Sequence, residues 1–156
     1  MSAQSDNFEN KYIDWLFRGQ ALGLNGSTAG AGSGPANLYI SLKLAADSDS
    51  AQGAEVSGGG YARAAVASSL VNWAGTQGAG STAASTGSSG TTSNNKDITF
   101  PTPSAAWGQV VGFGIHDAAT GGIELFYAAL ASPKTINAGD PAPSFPAASL
   151  SVQVDN

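Results

Sequence analysis

The chain has 156 residues, of which only 11% are charged, and its formal net charge is −5 at pH 7. This length most simply forms one domain with a real core, and the charged fraction is well below the roughly 25% of an ordinary soluble domain. With six Lys and Arg residues in total, the sequence has no cationic patch, which argues against a nucleic-acid partner. The scarcity of charge favours a place inside an assembly, although a loop-rich β protein would show the same composition.

The sequence also argues against a cysteine-dependent protein and against a membrane or secreted protein. Cysteine is absent, which excludes disulfides, thiolate metal sites and cysteine nucleophiles. No apolar run approaches the roughly 18 residues that span a bilayer, and the amino terminus lacks the basic and apolar regions of a secretory signal. We therefore expect no membrane partner and a protein kept in a cytoplasm until it is built into an assembly.

Residues 6–19 give the strongest helix prediction. Asp6 is expected to be the N-cap, with Glu9 three residues later in capping-box spacing, and Gly19 is expected to end the helix. Large apolar side chains recur at helical spacing and need a surface that buries them, either the chain's own sheet or a neighbouring subunit. We therefore interpret residues 1–20 as an amphipathic helical arm. Its candidate partner-interface residues are Phe8, Tyr12, Trp15, Leu16 and Phe17.

Residues 21–36 are rich in Gly and Ser and are interpreted as a connector between the arm and a β domain at 37–156. The β domain begins with a strictly alternating stretch at 37–45. Its even-numbered residues, from Leu38 to Leu44, are expected on an apolar face, with Tyr39, Ser41 and Lys43 on the other. The acidic stretch at 47–50 that follows shares its Asp-x-Asp spacing with calcium loops. However, it lacks the glycine and bidentate Glu of an EF-hand, so an exposed loop is the favoured interpretation.

The triple glycine Gly58, Gly59 and Gly60 is a candidate structural turn. Glycine adopts positive φ at little steric cost, so such a run is typical of a tight turn or of close backbone approach. No Gly-Lys-Ser/Thr follows it, and it has no Gly-x-Gly-x-x-Gly pattern, so neither a phosphate loop nor a dinucleotide site is predicted. We expect a sheet corner that aims Tyr61 and Arg63.

The rest of the chain predicts short strands separated by turns. Residues 75–95 are almost wholly Gly, Ser, Thr, Ala and Asn, which predicts a long surface loop with too little apolar surface to order itself. The stretch at 123–131 is apolar on both faces, which predicts a strand buried between two layers and stopped by Pro133. Together these signals predict a mainly β fold: a single antiparallel β-sandwich or jelly-roll-like domain with one N-terminal α-helix. The strand candidates lie at 61–73, 97–101, 109–116, 123–131, 134–137 and 148–154.

Catalytic and ligand-binding patterns are weak. His116 stands beside Asp117, but no Gly-x-Ser-x-Gly elbow occurs, so a polar residue at a strand end is favoured over a catalytic one. One histidine and scattered carboxylates predict no metal site, and no cofactor is expected. Trp73 and Trp107 are candidates for a sugar-binding face, although core packing is the better interpretation. We therefore expect a protein that is not an enzyme.

An ordered series of short motifs resembles a family of small virion proteins of tailed bacteriophages. Members of the family are commonly labelled tail fibre protein or phage structural protein. The most distinctive motif is EVSGGGYAR at 55–63. The others lie at 9–11, 16–19, 38–42, 98–101, 107–108, 113–118, 120–122, 133–135, 137–140 and 145–146.

The resemblance implies a non-enzymatic structural protein of the virion, assembled in the host cytoplasm. We expect a capsid cement or decoration protein that bridges capsid subunits. The reasons are the missing fibre-shaft repeat, the detachable helix and the long polar loops that could lie over a shell. The alternative is a tail fibre or tail-associated protein with a receptor- or carbohydrate-binding role. The expected partners are the major capsid protein or other virion proteins, together with further copies of the chain in a dimer or trimer.

Overall fold

The computed structural model describes residues 4–24 and 34–154. The fold is mainly β with one amino-terminal helix, and the paired strands β1–β5, β5–β6 and β3–β8 are antiparallel. This confirms the predicted fold class and is consistent with a β-sandwich carrying one N-terminal helix. The elements are α1 (Asp6–Leu16), β1 (Asn37–Lys43), β2 (Ala64–Ala67), β3 (Thr91–Ser93), β4 (Ile98–Thr99), β5 (Gly108–His116), β6 (Glu124–Ile136), β7 (Ser144–Phe145) and β8 (Ser151–Gln153).

The chain forms two compact units. Unit 1 comprises the described residues of Met1–Ala36, Ala67–Ile98 and Phe145–Asn156, and unit 2 comprises Asn37–Val66 and Thr99–Ser144. This division differs from the predicted arm, connector and β domain, because the helix shares a unit with two later segments. Most of the predicted connector, residues 25–33, lies outside the described residues.

Unit 2 contains most of a four-stranded sheet with the order β2-β1-β5-β6. The register of β1 against β5 places Ile40 opposite Ile115 and Leu42 opposite Phe113. All four side chains are buried, as the alternation in β1 predicts for one face of a half-apolar strand. Leu44, which the alternation placed on that face, is 37% exposed because β1 ends at Lys43.

Strand β6 differs most from its prediction. It runs unbroken from Glu124 to Ile136 through Pro133, and it lies at the edge of the sheet with most of its residues exposed. The prediction that it is buried between two layers is therefore wrong, as is the separate strand at 134–137. An edge strand tolerates proline because the missing N–H can face away from the neighbouring strand.

Unit 1 is organised around helix α1. Ser5, and not Asp6, is the N-cap, and its hydroxyl accepts from the backbone N–H of Phe8 at 3.4 Å. The helix ends three residues earlier than predicted, and Gly19 follows it at φ 67°. Phe17 is fully buried, and its ring meets that of Trp73 edge-on with centroids 5.0 Å apart. Burial of such aromatic side chains stabilises the helix more than its intrinsic propensity does.

The predicted strand at 61–73 is reduced to β2 at Ala64–Ala67, and Trp73 forms an isolated bridge with Asn94. The predicted strand at 148–154 is reduced to β8, which pairs with β3. The two strands bring Thr92 opposite Val152, and both residues are buried. Short strands in a Ser/Thr-rich region therefore contribute to the core of unit 1.

The loop at 75–95 is held by Arg18, which is fully buried. Its Nε–H donates to the carbonyl oxygen of Trp73 at 3.1 Å, and its Nη2 donates to that of Ala83 at 2.5 Å. Its Nη1 lies 2.5 Å from Asp14 Oδ1 and 3.1 Å from Ser85 Oγ. The backbone N–H of Ser85 in turn donates to the second carboxylate oxygen of Asp14 at 2.9 Å. Charge-assisted hydrogen bonds thus fix a segment that has little apolar surface.

A second set of polar contacts supports the same loop. Asn10, on helix α1, accepts a hydrogen bond from the hydroxyl of Thr76 and donates to the carbonyl oxygen of Gly87 at 3.0 Å. The buried side chain of Asn94 donates to the carbonyl oxygens of Lys96 and Pro146. The loop, which was predicted to have too little apolar surface to order itself, is therefore held within unit 1 by side chains of helix α1 and by its own Asn94.

Replacing Arg18 should destabilise unit 1. Arg18→Met leaves the Asp14 carboxylate without its cation, and we expect a loss of about 3 kcal/mol in the free energy of unfolding. Arg18→Lys keeps the charge but not the planar set of donors, and should lose less. Urea unfolding measures the free energy of unfolding of each variant, and hydrogen exchange measures the protection of the backbone amides at 75–95.

The matched control is Lys11→Met, which removes a cation of the same helix whose Nζ makes only an exposed hydrogen bond, to the carbonyl oxygen of Gly23. It should change stability by no more than about 0.5 kcal/mol. Unchanged exchange at 75–95 in Arg18→Met would contradict the role given to Arg18.

Candidate functional site

The chemically active side chains of unit 2 lie on the second face of the four-stranded sheet. The register places Ser41 opposite Gly114 and Tyr39 opposite His116, on the face away from Ile40 and Leu42. The alternation had correctly separated Ser41 and Lys43 from the apolar face of β1. It did not reveal that these two polar residues are themselves buried, at 0% and 1% exposed.

Lys43 is the centre of a buried ion-pair cluster. Its Nζ lies 2.6 Å from Glu124 Oε1 and 3.0 Å from Asp47 Oδ1. Burial by itself lowers the pKa of Lys43, but the hydrogen bonds and charges of Glu124 and Asp47 outweigh it, and the net pKa is raised. Lys43 is therefore a fixed cation that neutralises carboxylates from two different segments of the unit.

Gly114 makes the room that this cluster occupies. A Cβ at Gly114 would lie 2.2 Å from Glu124 Oε1, 2.8 Å from Ser41 Oγ and 3.0 Å from His116 Nε2. The glycine in the middle of β5 is thus explained by polar side chains that lie directly over its backbone.

His116 is fully buried at the end of β5, with Nε2 2.9 Å from Ser41 Oγ. Burial, together with the positive charge of Arg63, lowers the pKa of His116 to about 4, although Glu55 acts in the opposite direction. The imidazole is therefore neutral at pH 7. Sequence analysis correctly placed it at a strand end, but the exposure of such a position is decided only by what packs over it.

The grouping of Ser41, His116 and Glu124 does not have the geometry of a hydrolytic triad. Glu124 Oε1 lies 3.4 Å from Nε2 of His116, the same nitrogen that faces Ser41. A triad needs the carboxylate on the other ring nitrogen, where it orients the imidazole as a base for the hydroxyl. Within the described residues, Nδ1 of His116 is buried and has no hydrogen-bond partner. This arrangement neither orients His116 nor admits a substrate to Ser41.

A second ion pair lies beside the cluster, between Glu55 and Arg63. It is bidentate: Nε of Arg63 meets Oε1 of Glu55 at 2.9 Å, and Nη2 meets Oε2 at 2.7 Å. Burial raises the pKa of Glu55, but hydrogen bonds from Arg63 and Tyr61 outweigh it and the net pKa is lowered. Arg63 also donates to the carbonyl oxygens of Ala118 and Gly121, which holds the turn before β6 in place.

The triple glycine is a turn, as predicted. Gly58, Gly59 and Gly60 have φ angles of 72°, 55° and 77°, a left-handed run that other residues rarely adopt. The carbonyl oxygen of Gly59 accepts from Nε1 of Trp107 at 2.9 Å. The turn delivers Tyr61, whose hydroxyl donates to Glu55 and accepts from the backbone N–H of Leu42.

The predicted partner-interface residues divide into two groups. Leu16 and Phe17 are buried within unit 1, at 3% and 0% exposed, so neither can anchor a partner while the helix is packed. Phe8, Tyr12 and Trp15 are half-buried and form a row of rings, with centroids 6.3 Å and 6.0 Å apart between neighbours. The interface prediction stays open for this aromatic row alone.

The two tryptophans considered for sugar binding are both core residues. Trp73 is 0% and Trp107 4% exposed, so neither offers a ring face to a saccharide. That hypothesis was wrong, and the core interpretation is confirmed.

The Asp-x-Asp loop is engaged by protein donors. Asp47 accepts from the backbone N–H of Gly53, and Asp49 accepts from the hydroxyl of Tyr127. Across residues 4–24 and 34–154, no group of three or more His, Cys, Asp or Glu residues is arranged to hold a metal ion. Over the same ranges, no helix has the length and apolarity needed to cross a membrane.

Comparison with known proteins identifies the family. The sequence matches the family described as Podophage GP4 fiber I protein gp80 over residues 3–153. The chain belongs to this family. It is therefore a fibre-type virion protein of tailed phages, and the resemblance inferred from the ordered motifs is confirmed. No curated protein matches the chain.

Burial of neutral His116 makes stability depend on pH. The pKa of His116 is about 4 in the folded chain and about 6.5 in the unfolded chain. Between these two pH values the unfolded chain binds a proton that the folded chain does not. Stability is full above about pH 6.5 and should fall by about 2 kcal/mol from pH 7 to pH 5, as measured by urea unfolding. The charged side chains that surround His116 are Lys43, Asp47, Glu55, Arg63 and Glu124.

The control is His116→Gln, which removes the titrating ring. Because the lowered pKa of Glu55 acts mainly below about pH 4.5, this variant should be nearly flat between pH 7 and pH 5. Equal slopes for the variant and the wild type would contradict the assignment to His116.

The turn allows a comparison of neighbouring glycines. Gly58→Ala meets no atom within 4 Å and should cost only the left-handed strain, about 1 kcal/mol. Gly59→Ala places its Cβ 3.0 Å from both the carbonyl oxygen of Ala105 and Nε1 of Trp107, and should cost about 1 kcal/mol more. Equal losses in urea unfolding would show that packing at Gly59 is unimportant.

Proposed function

We propose that the chain is a non-catalytic structural subunit of the phage fibre, and that it acts by surface complementarity with other virion proteins. The observation that supports this most directly is the burial of the Ser41, His116 and Glu124 grouping with both partners on one imidazole nitrogen. The most reactive-looking residues of the sequence thus serve to stabilise the sheet. Membership of a fibre family points to the same role.

Two observations favour the fibre over the capsid cement expected from the sequence. The cement hypothesis required a detachable helix, but Ile13, Leu16 and Phe17 are buried in unit 1. It also required loops that could lie over a shell, but Arg18 fastens the loop at 75–95 to the helix. Both features are explained by internal packing and no longer indicate contact with a capsid.

The aromatic row of Phe8, Tyr12 and Trp15 is the proposed contact with a neighbouring virion protein. Aromatic side chains on a rigid helix provide a large contact area at a low cost in conformational entropy, and they are enriched at interface hot spots. Ile13 and Leu16 of the same helix are buried in unit 1, so the helix holds the row in a fixed position.

The test is complementation of a phage that lacks this gene. Mass spectrometry of purified particles counts copies per virion, and immunogold labelling locates them. A handful to a few dozen copies at the tail is the expected result. Hundreds of copies on the head would overturn the fibre role and support capsid cement.

The interface is tested with the double variant Phe8→Ser and Tyr12→Ser. We expect at least an about tenfold loss of incorporation into particles, because two contact aromatics are removed. The matched control is Val71→Ser, which removes an exposed apolar side chain elsewhere in unit 1. Normal occupancy of the double variant would show that the aromatic row is not the contact.

A further inference from the structure

A polar groove lies within unit 2, between the tip of a hairpin and strand β6. The hairpin continues β1, because the backbone N–H of Leu44 donates to the carbonyl oxygen of Ala54 at 2.7 Å. Its tip is closed by Ser48 and Ala51, which exchange backbone hydrogen bonds at 2.9 Å and 3.2 Å. The space between this tip and β6, here called the tip groove, has a volume of about 290 Å³. Small-ligand sites begin at about 300 Å³, so the tip groove has room for one small ligand.

Both walls of the tip groove are held in position. On the hairpin side, Asp47 accepts from the backbone N–H of Gly53 at 2.6 Å, and its carboxylate lies 3.0 Å from Nζ of Lys43. On the strand side, Tyr127 belongs to the part of β6 that pairs regularly with β5. The hydroxyl of Tyr127 donates to Asp49 at the tip and so joins the two walls. A ligand therefore meets a preformed groove and loses little free energy in ordering it.

The lining of the tip groove combines one aromatic ring with several polar groups. Tyr127 is 39% exposed and contributes the ring. The tip contributes a carboxylate, two hydroxyls and an amide, all on exposed residues: Asp49, Ser48, Ser50 and Gln52. These groups both donate and accept hydrogen bonds, whereas the face of the ring offers an apolar surface. A ligand that carries hydroxyl groups on an aliphatic ring uses both kinds of surface.

The charges at the tip groove argue against other classes of ligand. None of the described residues that line it is Lys, Arg or His, so a phosphate or carboxylate group would find no cation to pair with. The carboxylate of Glu124 is neutralised by Lys43 at 2.6 Å, which leaves Asp49 as the charged group that a ligand meets. An apolar ligand would cover Asp49 and the hydroxyls without giving them hydrogen bonds, which costs free energy. A neutral ligand with many hydroxyls avoids both penalties.

We propose that the tip groove binds a neutral saccharide, with one sugar ring against Tyr127 and its hydroxyls bonded to Asp49 and Gln52. The hydroxyl of Tyr127 occupies one oxygen of the Asp49 carboxylate, so the other oxygen accepts from the sugar. A single sugar ring in a small groove binds weakly, with a dissociation constant on the order of 1 mM. Saccharide binding is an addition to the proposed structural role and does not depend on it.

The test is titration of the purified full chain with glucose, galactose and N-acetylglucosamine, followed by the NMR shifts of its backbone amides. At least one of the three sugars should shift the amides of 48–52 and 124–127 saturably. Tyr127→Ala and Asp49→Ala should each weaken that binding at least about tenfold, because each removes one of the two main contacts. The matched control is Ile123→Ala, which removes an exposed apolar side chain of the same strand region outside the groove lining, and it should bind normally. The 6-phosphate of the sugar that binds should bind at least about tenfold more weakly, because Asp49 repels it.

The absence of a saturable shift at the tip groove with all three sugars would overturn the proposal. Binding by Tyr127→Ala and Asp49→Ala that is as strong as in the wild type would overturn it too, once circular dichroism shows that both are folded. Tetramethylammonium serves as a probe for the rival occupant, an organic cation over the ring. Shifts with this cation and with none of the sugars would replace the saccharide site by a cation site. Each of these results leaves the incorporation of the chain into particles unchanged, so the proposed fibre role stands or fails separately.

Discussion

The guanidinium of Arg18 is the contact on which the order of unit 1 depends. It joins the end of helix α1 to two backbone carbonyls and a hydroxyl, and Asp14 neutralises it one helical turn away. The loop at 75–95 has too few apolar side chains to offset its ordering entropy by burial. Charged hydrogen bonds take over that task, and an unpaired Asp14 would be correspondingly costly.

Unit 2 also depends on charged groups that are buried and paired. One face is apolar and forms an ordinary core, whereas the other carries Lys43, His116 and their carboxylate partners, all shielded from water. Gly114 allows those side chains to lie over the backbone, and the triple glycine brings Tyr61 and Arg63 in from the side. Burying a charged group costs stability unless it is paired, and Lys43 is paired with both Asp47 and Glu124.

The burial of these polar side chains favours a structural role for the chain. Ser41, His116 and Glu124, which resemble catalytic residues, are buried against one another on the sheet. The surface proposed for recognition of a neighbouring virion protein is the aromatic row on helix α1. A virion protein that works by attachment requires stable surfaces of this kind, and the family of fibre proteins to which the chain belongs is consistent with it.

The sequence by itself determined the fold class, the helix, the glycine turn and the family, because these follow from periodicity, glycine chemistry and an ordered set of local motifs. Only the tertiary structure decided burial. Alternation placed Ser41 and Lys43 on one face but cannot tell a solvated face from a covered one. The apolar pattern of 123–131 fits a buried strand equally well, yet β6 lies at an edge. The roles of Arg18 and Glu124 rest on contacts with residues distant in sequence, which no local pattern records.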